Sequence, residues 1–384
     1  MRILLINYEY PPVGGGAATA TEAIGKALVN LGHRVVVLTG KFRDLPESSE
    51  VDGIVIRRIP SLRRAKDRAG LSEMASFVIA GIALAPAIIR KHQIEGAIVF
   101  FSLPCGPIGL LGRRVYDLPY VVSLRGGDVP GNEPSLNFLH HILAPLRRAV
   151  LKNSIAIVAN SEGLRRVAEE ADPFPVQVIP NGVDSDFFIP GQPKSGRRTG
   201  EALRILFVGR FHEQKNLRFL FEQVAHLSPG TFELHLVGDG PGKQRLRQLA
   251  EHLRIMETIT WHGWLTREAV REAYQTADCL VNPSLYEGMP NVVLEAMACG
   301  LPVIASNVPG NADLVVNGET GFLFDLDKPD GFIAAVMRLH QADLLLFRGS
   351  VRKRALEFLS WKNVAGRYAE LFSAQFRASI GTVR

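Results

Sequence analysis

The sequence predicts an α/β protein of two domains, each built on a parallel sheet with helices packed on its faces. Three observations predict this. At 384 residues the chain is long for a single core. Its opening reads strand, glycine-rich turn, helix, strand, and such a βαβ unit demands parallel strands with any site at their carboxyl ends. After a stretch rich in Gly, Pro, Lys and Arg (Gly191 to Gly200), short apolar runs alternating with helical segments start again at Leu203. The expected domains are 1–190 and 203–360, with a linker at 191–202 and a last helical segment at 361–384.

Hydrophobic residues make up 47% of the chain and charged residues 21%, which is the profile of a globular fold and not of disorder. The net charge of +6 is spread evenly, with 21 basic against 18 acidic residues up to Ile189 and 23 against 20 beyond. That evenness argues against a dedicated nucleic-acid face. Cys105, Cys279 and Cys299 stand in neither a metal-ligand nor a disulfide spacing, which fits a reducing, cytoplasmic setting. Met1-Arg2 leads directly into the short apolar run Ile3 to Ile6, so no secretion signal is read there. The longest apolar stretch, Phe77 to Ile89, is 13 residues with Pro86 inside it. It falls short of the ~20 residues a bilayer crossing needs and reads as a buried helix.

In the N-terminal half, Arg2 to Ile6 is the first strand. A helix runs from about Ala17 to Leu31, Gly32 closes it, and Arg34 to Leu38 is the next strand. The glycines before that helix invite a dinucleotide-binding reading, which fails on spacing. Gly14-x-Gly16-x-x-Thr19 lacks the third glycine, the loop from Asn7 is long, and no acid ends the second strand. This argues against hydride transfer. From Arg57 to Arg68 six basic residues accompany one acid, Asp67. That segment is either a solvated loop or a contact for an anionic membrane or acceptor. Followed by the apolar helix Ser72 to Arg90, it raises the expectation of peripheral contact at the inner face of a membrane.

Further strands are read at Ala97–Phe101, Pro119–Leu124, Ile155–Ala159 and Val176–Ile179, with a long helical stretch over about Pro134–Leu151 and a helix capped by Ser161. The strand ending at Leu124 runs into Arg125-Gly126-Gly127-Asp128. Arg125 can stabilise a phosphate and Asp128 can bond a sugar hydroxyl; alternatively the two pair with each other. Asp184-Ser185-Asp186 mimics a metal-binding Asp-x-Asp, but it sits where the first domain ends and is discounted, so no metal ligand is assigned.

In the C-terminal half, the strand Leu203–Val208 ends in Gly209-Arg210, and Lys215 follows on the same strand-to-helix loop. Two cations converging above the sheet can neutralise a diphosphate without a metal. Phe232–Val237 ends in the turn Gly238-Asp239-Gly240-Pro241, where glycine lets a ligand approach. Ile259–Trp261 leads to His262-Gly263-Trp264; Trp264 either stacks on a base or is buried, and His262 packs or hydrogen-bonds rather than catalyses.

The organising stretch is Glu287-Gly288-Met289-Pro290-Asn291-Val292-Val293-Leu294-Glu295. The run Cys279–Val281 is a short strand, Pro290 sits where a helix can begin, and Gly300 is placed to end that helix in a left-handed cap before Pro302. Backbone N–H groups from Met289 to Val292 at the helix start form a candidate anion site. Carboxylates flanking such a site repel phosphate unless they bind neutral hydroxyls, so Glu287 and Glu295 suit a sugar and a ribose; taken alone, two Glu eight apart favour an ordinary loop-to-helix junction with a surface Glu at each end.

Glu287, seven intervening residues and Glu295, within EGMPNVVLEAMACGLPVIAS, resemble the signature of retaining glycosyltransferases of the GT-B fold, family 4. The resemblance implies two Rossmann-like domains facing a central cleft, with the last helix, near Trp361 to Phe376, crossing back onto the first domain. It implies transfer of a sugar from a nucleotide-sugar donor to the hydroxyl of a sugar, lipid-linked or small-molecule acceptor. Configuration would be retained, and neither cofactor nor metal would be needed. Gly15 and Gly16 match the family's glycine-rich loop near donor phosphates or acceptor. Gly238, Gly263, Gly288, Met289, Asn291, Val292 and Glu295 would line the donor, with the Gly263 loop against the nucleobase. Arg210 and Lys215 would stabilise the departing diphosphate, and Glu287 would orient the sugar. Most relatives carry His-Gly where this chain has Arg125-Gly126, so that histidine's role does not transfer. A nucleotide-sugar epimerase, a phosphorylase with lysine-held pyridoxal phosphate, and a non-catalytic sugar-nucleotide-binding subunit are the alternatives.

Overall fold

The computed structural model describes residues 1–66, 69–133, 136–192, 201–228, 230–328, 330–357 and 360–381. The chain forms two compact units: Met1–Gly182 together with the C-terminal segment from Trp361, and Val183–Ser360. The boundary therefore falls at Gly182 and not at 190, so Val183 to Pro190 belong to the second unit. Most of the expected linker, 193–200, lies outside the described residues.

The first unit contains β1 (Arg2–Ile6), α1 (Gly16–Asn30), β2 (Arg34–Gly40), β3 (Ser48–Val51), β4 (Ile54–Ile59), α2 (Leu71–His92), β5 (Gly96–Phe100), α3 (Gly106–Tyr116), β6 (Tyr120–Leu124), α4 (Asn137–Ile142), α5 (Ala144–Lys152), β7 (Ala156–Ala159), α6 (Glu162–Ala171) and β8 (Gln177–Val178). The sheet order is β3-β4-β2-β1-β5-β6-β7-β8, parallel throughout except for the edge pair β3/β4. Continuous apolar strands such as Ile3–Ile6 and Ala97–Phe100 are almost fully buried, as strands covered on both faces must be.

Two expectations fail here for identifiable reasons. Ile54–Ile59 is a strand, so Arg57 and Arg58 belong to the sheet and not to a loop. Arg58 is buried and donates to the Pro46 carbonyl and Ser49 Oγ, and buried Arg63 donates to the Ala65 carbonyl. Asp67 and Arg68 fall outside the described residues. The basic run is thus partly consumed by the fold. Helix α2 is longer than the apolar run, and in length and composition it would suffice to cross a membrane. It is not buried all round: Phe77, Gly81, Ala85, Ile88 and Ile89 face the core, while Ile79, Ile82 and Leu84 are exposed.

The second unit contains β9 (Leu203–Val208), α7 (Leu217–Val224), β10 (Phe232–Val237), α8 (Lys243–His252), β11 (Ile259–Gly263), α9 (Arg267–Thr276), β12 (Cys279–Asn282), α10 (Asn291–Ala298), β13 (Val303–Ser306), α11 (Pro309–Ala312), β14 (Gly321–Phe324), α12 (Asp330–Gln341) and α13 (Leu344–Glu357). Its sheet, β11-β10-β9-β12-β13-β14, is parallel throughout. One apolar cluster fills the α7/α8/α12 side of this sheet, including Phe207, Phe221 and Phe332, and another lies under α9, α10 and α13. The final helix, α14 (Trp361–Gly381), packs on α1 of the first unit, with Tyr368 and Phe372 fully buried.

Candidate active site

The carboxyl ends of β9 and β12 bring together residues far apart in sequence. After β9 the chain passes Gly209 and Arg210 into a short 3₁₀ turn, Glu213–Lys215, capped by His212 and ended by Asn216 in the left-handed region at φ 52°. After β12 it passes Ser284 and Glu287 into α10. The two loops are stitched together: Leu285 donates its N–H to the Gln214 carbonyl at 2.8 Å, and Gln214 Nε2 donates to the Tyr286 carbonyl at 3.0 Å. Between them the Lys215 ammonium donates to Glu287 Oε1 in a largely buried ion pair. Lys215 and Arg210 do share one loop, yet Lys215 carries a carboxylate partner, which the diphosphate reading did not foresee.

Glu287 has a second anchor. Buried Ser284 donates Oγ–H to its Oε1 at 2.7 Å and also lies 2.9 Å from Asn282 Oδ1. Asn282 Nδ2 donates to Asn311 Oδ1 at 2.8 Å, and Asn311 Nδ2 donates to the Ser306 carbonyl at 3.0 Å. This fully buried chain fixes the loop from β12, β13 and α11 at once. Gly310 completes the seat, because a Cβ there would lie 2.4 Å from the Gly288 carbonyl oxygen. Sequence reading placed none of Ser284, Asn311 or Gly310 in the site: each looks like ordinary strand-end or turn chemistry until the loops are folded together.

Helix α10 starts at Asn291 with Pro290 as its N-cap, not as its first turn. The Pro290 carbonyl takes the N–H groups of Val293 and Leu294. Within the stretch Met289 to Val292, read from sequence as a row of donors, Pro290 has no N–H to offer. The far end follows expectation: Gly300, at φ 75°, bonds to the Met297 carbonyl, and Leu301 bonds to the Ala296 carbonyl, closing a Schellman cap.

Glu295 lies one turn along α10. Its Oε2 accepts from the OH of buried Tyr274 on α9 at 3.1 Å. Burial pushes its carboxyl up to about 7, opposed by that hydroxyl and by the Arg267 charge. Arg267 in turn pairs with Asp184 at 2.6 Å and lies 4.0 Å from the Phe187 ring centroid. Asp184 thus serves an ion pair and caps Phe187 N–H. Tyr274 went unnoticed because an aromatic on an amphipathic helix reads as core.

At β10 and β11, Gly238 adopts φ 130° and its Cβ would sit 2.0 Å from the Gly209 carbonyl oxygen. Its N–H donates to the Gly263 carbonyl at 2.7 Å. The glycine expected to admit a ligand is thus required by backbone-to-backbone contact. Trp264 is 63% exposed, so burial is ruled out. His262 stacks on His235, their ring nitrogens 3.1 Å apart.

In the first unit, Gly15 caps α1 and gives its N–H to Glu9 Oε2 at 2.8 Å, and Gly16 opens the helix. Asp128 corrects both readings made for it. Its carboxylate is buried and accepts the N–H groups of Ser102 (2.6 Å), Arg125 (2.9 Å) and Gly126 (3.2 Å). Burial raises its pKa while those bonds lower it. It therefore shapes the loop; it pairs with the backbone of Arg125 and not with its guanidinium. The Arg125 side chain goes instead to Asn181 Oδ1 at 2.8 Å, with Tyr368 OH at 3.5 Å.

Two parallel-sheet α/β units with loops of this kind at the strand ends define the GT-B fold of nucleotide-sugar glycosyltransferases. Matches to known proteins agree: the family model Glycosyltransferase Family 4 covers residues 14–187 and Glycosyl transferases group 1 covers residues 202–342. The chain belongs to the family 4 glycosyltransferases. It is 27% identical to the alpha-maltose-1-phosphate synthase of Mycobacterium tuberculosis, over 97% of this chain and 99% of that one. Among solved structures it resembles sucrose-phosphate synthase from Thermosynechococcus elongatus (TM-score 0.84, 23% identity, 98% of this chain and 100% of that one). It also resembles Anabaena HepE in complex with UDP-glucose (TM-score 0.77, 18% identity, 97% of this chain and 100% of that one).

Proposed function

We propose that this glycosyltransferase moves a hexosyl group from a nucleotide sugar to an acceptor hydroxyl with retention, without a metal, in polysaccharide or glycoconjugate synthesis in the cytoplasm. The observation that carries the donor assignment is the Lys215–Glu287 pair, held by two strand-end loops beside α10. The donor's anomeric carbon would lose its bond to the diphosphate oxygen and gain one to the acceptor oxygen on the same face. The acceptor's proton passes to the departing phosphate. Arg210 and Lys215 stabilise the charge developing on the diphosphate, and Glu287, released from Lys215 as that cation turns to phosphate, orients the sugar and favours positive charge at its anomeric carbon. Glu295 accepts the ribose hydroxyls. That a fold relative, HepE, was solved with UDP-glucose supports this class of donor.

Calorimetric titration with UDP, GDP and ADP, first in EDTA and then with magnesium, tests this reading. Tight binding of one nucleotide in EDTA is expected, and binding only with magnesium would overturn the metal-free mechanism. The exposed apolar face of α2, with Arg64 and Lys66 exposed before it, supports peripheral contact with an anionic membrane. Flotation with anionic and neutral vesicles tests that, and failure to bind either would remove it.

A further inference from the structure

Arg125 is a partly buried guanidinium that no carboxylate contacts as an ion pair. It follows β6, at the carboxyl end of the first unit's sheet, with its guanidinium carbon 4.8 Å from the ring centroid of Phe100 at the end of β5. Its side chain hydrogen-bonds only neutral oxygens among the described residues: Asn181 Oδ1, and the Tyr368 hydroxyl, which also lies 2.7 Å from Ser123 Oγ. The neighbouring carboxylate, Asp128, is spent on three backbone N–H groups. Among the described residues no Asp or Glu comes within ion-pair distance of Arg125, and its Nε is sealed from solvent with no partner. Burial lowers its pKa, opposed by the Tyr368 hydroxyl and by the Asp128 charge acting at longer range, and a guanidinium stays charged in any protein.

Such a charge is costly unless something compensates it. Arg147, on α5 of the same unit, shows how this chain treats a structural arginine: it is 4% exposed and is paired with Asp172 at 2.6 Å. Arg125 is different. It keeps partial solvent access, stands where parallel sheets bind ligands, and is held in place by an aromatic face and two neutral oxygens. This orients a fork of N–H donors with no carboxylate in direct contact, which is the arrangement that suits a planar or tetrahedral oxyanion.

We infer that Arg125 seats an anionic group carried by a sugar substrate, a phosphate on the acceptor or a carboxylate on the transferred sugar. The inference rests on the glycosyl-transfer reading above for its substrate class, but on the first unit alone for its geometry. Asn181 and Tyr368 are positioning residues for the guanidinium.

The test compares charged and neutral twins by calorimetry at fixed pH and ionic strength: glucose 6-phosphate with glucose, and UDP-glucuronate with UDP-glucose. Wild type, Arg125→Met and Arg125→Lys are titrated, with UDP, GDP and ADP alone as controls. Wild type should bind the charged member of one pair at least about tenfold more tightly, the scale of one charge-assisted contact. A preference in the glucose pair places the anion on the acceptor, and one in the UDP pair places it on the transferred sugar. The preference should vanish in Arg125→Met, survive in part in Arg125→Lys, and leave nucleoside diphosphate binding unchanged. Equal binding within both pairs, or an undiminished preference in Arg125→Met, overturns the proposal. If Arg125→Met does not fold, the wild-type pairs and Arg125→Lys decide it. If no nucleoside diphosphate binds, the donor reading fails, and the glucose pair still decides the role of Arg125.

Discussion

Lys215 and Glu287, 72 residues apart in the chain, meet as an ion pair whose side chains are only 15% and 8% exposed. A pair this dry is strong only while both members are present; removing one leaves an uncompensated buried charge. Lys215→Ala should therefore lose about 10²–10³ in transfer rate and also lower thermal stability. Turnover with a nucleotide sugar and a melting curve measure the two effects. Near-normal turnover would remove Lys215 from the chemistry.

Gly310→Ala addresses the same site without removing a polar group. The added methyl would press on the Gly288 carbonyl, moving the Glu287 loop or α11. Activity should fall by at least about tenfold, with a stability loss of about 1–3 kcal/mol from overpacking. Unchanged kcat and KM would show that the loop tolerates displacement.

Glu295 gives a pH dependence of unusual sign for a carboxylate. Burial holds its folded-state pKa at about 7 against an ordinary value of 4.5. Between those values the folded chain keeps a proton the unfolded chain has lost, so stability falls as pH rises from about 4.5 to about 7 and then levels. The loss is of order 3 kcal/mol. Melting temperature against pH should show this slope in wild type and lose it in Glu295→Gln; parallel curves would refute it. Nucleotide affinity should move oppositely, rising through about pH 7 as the carboxylate becomes the better acceptor for ribose hydroxyls.

Arg147 and Asp172 form a buried pair at 2.6 Å, with Arg148 reaching the other carboxylate oxygen at 2.8 Å and Arg147 also donating to the His140 carbonyl. Asp172→Ala should cost about 3–5 kcal/mol in urea unfolding, because it strands a buried arginine. A loss below about 1 kcal/mol would mean that the site takes up water to compensate.

The sequence by itself determined the α/β class, the parallel order and the strands of the core, because runs such as Ile3–Ile6 and Cys279–Val281 are apolar enough to be buried on both faces. It also determined the Gly300 cap, while the candidates Arg210, Lys215, Glu287 and Glu295 came from the wording around them, which resembles the family 4 signature, and not from spacing alone. Strand β4 stayed hidden because Arg57 and Arg58 look like loop chemistry until their side chains have partners.

Only the tertiary structure decided which groups pair. It joined Lys215 to Glu287, Tyr274 to Glu295 and Gly310 to the Gly288 carbonyl, and it spent Asp128 on backbone N–H groups, so that no carboxylate contacts the Arg125 guanidinium. The reason is physical: periodicity records which face of an element is buried, whereas a hydrogen bond or ion pair depends on ångström-scale distances between elements whose separation along the chain carries no such information.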